Sequence, residues 1–224
     1  MSAEAAEKNI PSCRKDGIGP APALSVKLPN WSELPENCKP WSHDHLPVDI
    51  LLFTVEDCEF LACYAHMKSS FKSYHRKLGD VYFGRPREDE NNPLKIALLR
   101  CPEGSHAIIT HNVFHTAASE LRPKAIYSVG CCIGLNPGTT QLGDVVISSK
   151  LTTLSYRTPM GRIIGKVIDR AVDGWEEPLE SLEARKVHVH NGEVFSGMDK
   201  DSFEQYKELF PKALAFETEG EGEI

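Results

Sequence analysis

Three sets of residues carry groups able to act on a small molecule. Glu59 stands shortly after an apolar run, residues 48–54 (VDILLFT). Gly130, Gly134 and Gly138, with Asn136, Pro137, Thr139 and Thr140, punctuate the chain after a second run, residues 124–129. Glu217, Glu219, Glu221 and Glu223 follow a third, residues 213–216. Glycine just past a strand allows positive φ and lets a ligand approach where a Cβ would block it. A carboxylate accepts several hydrogen bonds at once, so it can hold a pair of hydroxyls or a water. If the three runs are parallel strands, all three sets fall at one sheet edge, where open α/β sheets bind ligands. Each has a plainer reading. The glycine stretch can simply connect two core strands, Glu59 can serve the dipole of a helix first turn, and the acidic run can be a solvated tail.

The elements that must position these groups follow from periodicity. Residues 48–54 have the length of a buried strand. Residues 56–74 place Phe60, Cys63, Tyr64, Met67 and Phe71 at helical spacing, so a long helix is expected there. Strands are expected at 79–83 and 94–101, joined through the charged stretch RPREDENN as an exposed hairpin end, and at 106–110. A short helix over 113–121 leads to the strand at 124–129, and a β-branched strand follows at 145–148. Beyond it come helical pieces at 161–172 and 179–185, a strand from 186 to 196, a helix over 199–210 stopped by Pro211, and a last strand at 213–216. Strands alternating with helices favour a mixed, largely parallel α/β sandwich.

Seven of the 15 prolines lie in residues 1–47, where no apolar period is sustained. That segment reads as a flexible leader able to lay Trp31 and Trp41 on a domain spanning 48–224. Hydrophobic residues make up 41% and charged residues 25% of the chain, the balance of a soluble globular protein. A net charge of −7 with no basic cluster argues against nucleic acid or an anionic membrane as partner. No apolar run approaches a membrane span, and the polar start MSAEAAEKN lacks the core of a signal peptide. The 7 cysteines are odd in number, scattered and free of any CxxC, as reduced cytoplasmic thiols would be. His43-Asp44-His45 and the alternating His188 and His190 lack further ligands at metal-site spacing, so no metal is expected. Vicinal Cys131 and Cys132 read as packing, since a nucleophilic cysteine needs a base partner.

Taken in order, SVGCCIGL, QLGDVVIS and AFETEGEGE resemble the nucleoside phosphorylase / methylthioadenosine–S-adenosylhomocysteine nucleosidase superfamily, close in flavour to such domains of multidomain animal proteins. The likeness runs from about residue 48 to the end. It implies a three-layer α/β sandwich with a mixed, largely parallel central sheet flanked by helices. It also implies cleavage of the N-glycosidic bond of a purine nucleoside, without a cofactor and with phosphate as co-substrate only in a phosphorylase. By the same resemblance Glu219 accepts hydrogen bonds from the ribose hydroxyls, with Glu217 and Thr218 beside it. Phe195 stacks on the purine, Gly130, Cys131, Cys132, Ile133 and Gly134 line the base and sugar, and Glu59 orients the attacking water in the hydrolytic branch.

Departures from the family pattern set the alternatives. Thr218 replaces a methionine that packs under the sugar, and the phosphate loop of true phosphorylases has no counterpart near Thr54, which favours hydrolysis. The family's purine-directed aspartate lies after the ExE motif, and the sequence ends at Ile224 before it, so an incomplete, impaired domain is expected. Two functions follow: an N-ribosyl hydrolase or phosphorylase, or a non-catalytic nucleoside-binding or interaction module of a larger signalling protein. A homo-oligomer fits either.

Overall fold

The computed structural model describes residues 23–87, 93–101, 107–136, 138–154, 157–159, 165–166, 170, 187–197 and 203–217. Its centre is strand β2 (Ile50–Thr54), flanked by parallel neighbours β5 (Ile96–Arg100) and β6 (Ala125–Ser128). Successive strand side chains point to opposite faces, so a strand apolar throughout can serve two cores. Leu51, Phe53, Ala97 and Leu99 enter one core with Ala117 and Leu121 of helix α2 (Ala107–Leu121). Ile50, Leu52, Ile96 and Leu98 enter the other with Phe60 of helix α1 (Asp57–Ala65). Helices on both faces make the three layers.

The first sheet runs β1 (Cys38–Lys39), β3 (Met67–His75), β4 (Gly79–Pro86), β5, β2, β6. A second runs β7 (Ile133–Gly134), β11 (Ala213–Glu217), β10 (Val189–Ser196), β8 (Val145–Thr152), β9 (Arg157–Pro159). Among the described residues five strand pairings are parallel and four antiparallel, so the sheets are mixed, as the α/β class requires. Helix α3 (Phe203–Leu209) covers the second sheet, where Tyr206 packs with Phe195, Ala213 and Phe216.

Three elements differ from the periodicity. The helix expected over 56–74 ends at Ala65, and residues 67–75 form β3. Met67 and Phe71 are i and i+4, but a β-bulge between Lys68 and Phe71 sends them to different cores. Three serines and pairing with β4 outweigh a weak helical stripe. The strand expected at 106–110 is instead the start of α2, within the described residues 107–110. The expected leader does not stop at residue 47 as a separate unit. β1 pairs with β3, Leu34 and Leu46 are buried, Trp41 packs on the first core, and Trp31 stacks on Phe60 at 5.1 Å. The helical pieces expected at 179–185 and most of 161–172 lie outside the described residues.

Ala213, Ala215 and Phe216 of β11 are buried. β10, β7 and α3 enclose it. The open apolar groups of this region are Tyr127 and Val129 at the end of β6 and Ile133 on β7.

Candidate functional site

Glu59 lies in the first turn of α1, which starts directly after β2. Its side chain turns back under its own helix: Oε2 accepts from the Glu56 N–H at 2.9 Å and the Val55 N–H at 3.1 Å. The first bond is half of a capping box, satisfying donors that a helix N-terminus leaves without partners. Oε1 accepts from the Cys131 N–H at 2.7 Å, across 72 residues of sequence. One carboxylate, 5% exposed, therefore joins the end of β2, the start of α1 and the loop after β6. Glu59 is the first-turn helix carboxylate of the plainer reading, and it also touches the glycine loop.

From Cys131 the loop turns into β7, which pairs antiparallel with β11, Ile133 opposite Phe216 and Gly134 opposite Ala215. This brings Cys132 beside Glu217. Burial pushes the Cys132 thiol up, and the Glu217 carboxylate adds to the effect. Burial, then Cys58, then Glu59 push the Cys131 thiol up to about 12. Thiolate is the nucleophilic form, so a thiol held this high is protonated and unreactive at neutral pH. This disfavours Cys131 as a nucleophile. Glu59, the Gly130–Gly134 segment and Glu217 thus come together where β2 and β6 of the first sheet and β11 of the second end, so the groups expected at one sheet edge are shared between two sheets. The Gly197 N–H donates to the Glu217 carbonyl at 3.1 Å and ties in the end of β10.

Gly134 is required by space. A Cβ there would lie 2.5 Å from Thr140 Oγ1 and 3.3 Å from its Cβ. Thr140 is buried, and its hydroxyl donates to the Asn136 carbonyl at 3.1 Å, closing the turn. Gly134→Ala is expected to push Thr140 out and to cost about 1–3 kcal/mol, the usual price of overpacking. A urea unfolding midpoint unchanged from wild type would contradict this close fit.

Phe195 needs correction. It is wholly buried, stacked on Phe210 at 4.3 Å and on Phe216 at 5.9 Å, and packed on Tyr206 at 4.8 Å. Its ring belongs to the core under α3 and does not face the loop, because the aromatic residues of α3 and β11 surround it. Next to it Ser196 is also wholly buried, and its Oγ has no hydrogen-bond partner among the described residues. Thr218 and Glu219, with Glu221 and Glu223, lie outside the described residues.

Asp144, far from His188 and His190 in sequence, joins both in the structure. Parallel pairing sets Val145 opposite Val189. Asp144 then accepts from the Gln141 N–H at 2.9 Å and the His188 N–H at 3.1 Å, and its Oδ2 lies 2.9 Å from His190 Nε2. Burial alone would raise this carboxyl, but the hydrogen bonds from Gln141, His190 and His188 outweigh it and hold it down at about 2. Only the register of β8 against β10 reveals the cluster, and no local pattern encodes that register. Ser196 could have been found as the residue following the aromatic. Among the described residues no group of three or more His, Cys, Asp or Glu could hold a metal ion, and no helix is long and apolar enough to cross a membrane.

No family model matches the sequence, and no curated protein matches it. Solved structures do. A 5′-methylthioadenosine/S-adenosylhomocysteine nucleosidase from Neisseria meningitidis, in complex with methylthio-immucillin-A, superposes with a TM-score of 0.60 at 15% identity over 78% of this chain and 77% of that one. The nucleosidase from Colwellia psychrerythraea 34H, in complex with adenine, gives 0.60 at 11% identity over 79% and 74%. That of S. pneumoniae, with the transition-state inhibitor MT-ImmA, gives 0.59 at 16% identity over 78% and 77%. The chain has the α/β fold of the nucleoside phosphorylase and nucleosidase structures.

Proposed function

We propose that the loop after β6 and the end of β11 form a cradle for a purine nucleoside, and that the protein hydrolyses its N-glycosidic bond. The observation that carries this reading is the carboxylate of Glu59 gripping the Cys131 N–H at 2.7 Å, with Glu217 beside Cys132. An acidic group and a solvent-exposed glycine loop then stand side by side where these strands end. Such a setting suits an oxocarbenium-like ribosyl transition state, whose positive charge a nearby carboxylate stabilises. Glu59 holds the loop through the Cys131 N–H and the Cys131 thiol, and we assign this carboxylate the orientation of the attacking water. Glu219 is assigned to the ribose hydroxyls, as one carboxylate accepts from two vicinal donors. Thr218 borders the sugar, and Ile133, 47% exposed, supplies an apolar surface for the base. Phe195 supports the site from the core. Water is the co-substrate, and no cofactor is needed.

A second reading, nucleoside binding without turnover, is favoured by one observation: three backbone N–H groups already occupy the Glu59 carboxylate, so its hydrogen bonds serve the fold. Incubation with methylthioadenosine, adenosine and inosine, with and without phosphate, separates the two. Hydrolysis predicts free base at a rate independent of phosphate and lost in Glu219→Ala. Saturable binding with no base released supports the second reading. No binding and no base released would overturn both.

A further inference from the structure

We propose a second ligand site, at the opposite end of the first sheet from the cradle, that takes a small aromatic anion: a ring bearing a carboxylate or a phosphate. A cleft of about 360 Å³ opens there between the 3₁₀ turn His43–His45 and strands β3, β4 and β5. Its position follows from register. Gly84 of β4 pairs with Ile96, the first residue of β5, whereas Cys131 lies past the far ends of β2 and β6. The four steps along β2 alone separate the two ends by roughly 13 Å.

Aromatic rings line the cleft. Phe71 stacks on Phe83 at 5.3 Å and 20°, and the His45 ring lies 4.5 Å from Phe71 and 5.7 Å from Phe83. Such rings offer faces and edges to a flat ligand. Cations line the mouth. Arg85 and Lys95 flank the paired Gly84 and Ile96 and are exposed, and among the described residues neither side chain has an ion-pair partner. Lys39 adds a third charge 4.5 Å over Phe71. Asp49 accepts from the Lys95 backbone N–H at 2.8 Å and interacts with the Lys95 charge, but its close ion pair, at 2.6 Å, is with Lys124 Nζ. Among the described residues, three cations thus stand at or beside one cleft of a chain of net charge −7. A guanidinium and an ammonium over an apolar floor select an anion with a ring attached.

The backbone is also specialised. Ser69, in the cleft wall, has φ 52°, a left-handed conformation that a non-glycine residue in a strand rarely takes. It sits within the bulge of β3, and that bulge presses on Gly84, where a Cβ would lie 2.9 Å from Met67 Cε and 3.1 Å from the Lys68 carbonyl. Bulges and strained residues concentrate where a fold shapes a site. Here they open the strand pair beside Phe71.

The test is calorimetric titration of the full chain with four probes. Benzoate and phenyl phosphate carry ring and charge, benzyl alcohol only the ring, and inorganic phosphate only the charge. Benzoate or phenyl phosphate is expected to saturate at least about tenfold more tightly than either control, and their order identifies the anion. The double variant Arg85→Ala, Lys95→Ala keeps exposed positions exposed, and it should weaken the aromatic anion about tenfold with an unchanged melting temperature. Phe71→Leu should weaken the aromatic anion while leaving inorganic phosphate as it was. Benzyl alcohol binding as tightly as benzoate, inorganic phosphate as tightly as phenyl phosphate, unaltered binding in the double variant, or no saturation by either aromatic anion would each overturn the proposal.

Discussion

Glu59→Ala is expected to destabilise the fold by about 3 kcal/mol and to remove nucleoside binding in the same step. The side chain accepts three backbone N–H groups, and its loss leaves the Val55, Glu56 and Cys131 donors without a protein partner. A part-buried donor stripped of its acceptor costs about 1–3 kcal/mol, and water recovers some of that at the loop. The Cys131 bond is the long-range one, so the loop after β6 is released while α1 only frays. Glu59→Gln separates the two effects. Its amide oxygen can still accept on one side, but its NH₂ faces an N–H donor on the other. The glutamine variant should therefore recover part of the stability and little of the binding. Urea unfolding beside a calorimetric titration with methylthioadenosine checks both, and a fully stable, non-binding alanine variant would show that the three bonds carry no structural weight.

The second large effect lies at Asp144. Its folded-state carboxyl stands at about 2 against an ordinary 3.8, and the side chain is only 3% exposed. A depressed carboxyl contributes stability above its unfolded value and loses it as pH falls through the folded value. The shift corresponds to about 2 kcal/mol at neutral pH, present from about pH 5 upward and fading toward pH 2. Asp144→Asn is expected to lose about that amount at pH 7 and to converge on wild type near pH 2. A difference in unfolding free energy that stays constant from pH 7 to pH 2 would contradict the assignment. Because Asp144 fixes the Gln141 N–H on one side and the His188 N–H on the other, the variant should also loosen the junction of β8 with β10.

How far the sequence carries this molecule depends on whether the controlling interaction is local. Residues 48–54 announce β2 because a largely apolar run of that length, with ILLF at its centre, fits a strand covered on both faces. The glycine loop is legible for the same local reason, and so is the terminal strand, Ala213–Glu217. What fails is decided by pairing. The Met67 and Phe71 stripe imitates a helix until the bulge and β4 claim it. Phe195 has the character of a stacking ring, and only α3 packed over it shows that its faces are taken. The role of Glu59 lies between these cases. A carboxylate three residues into a helix predicts the Glu56 bond, but nothing local predicts that its other oxygen reaches Cys131. That one contact joins two separate motifs.

The claim at the centre is that this edge of the sheet holds a purine nucleoside. Amide NMR of the uniformly ¹⁵N-labelled chain, titrated with adenine and then with methylthioadenosine, tests it residue by residue. Saturable shifts are predicted at Cys131, Cys132, Ile133 and Gly134, with Gly197 and Glu217 responding from the neighbouring strands and Arg85 and Lys95 silent. Shifts confined to Arg85, Lys95 and Ser69, or no saturable shift at the loop with either ligand, would contradict it.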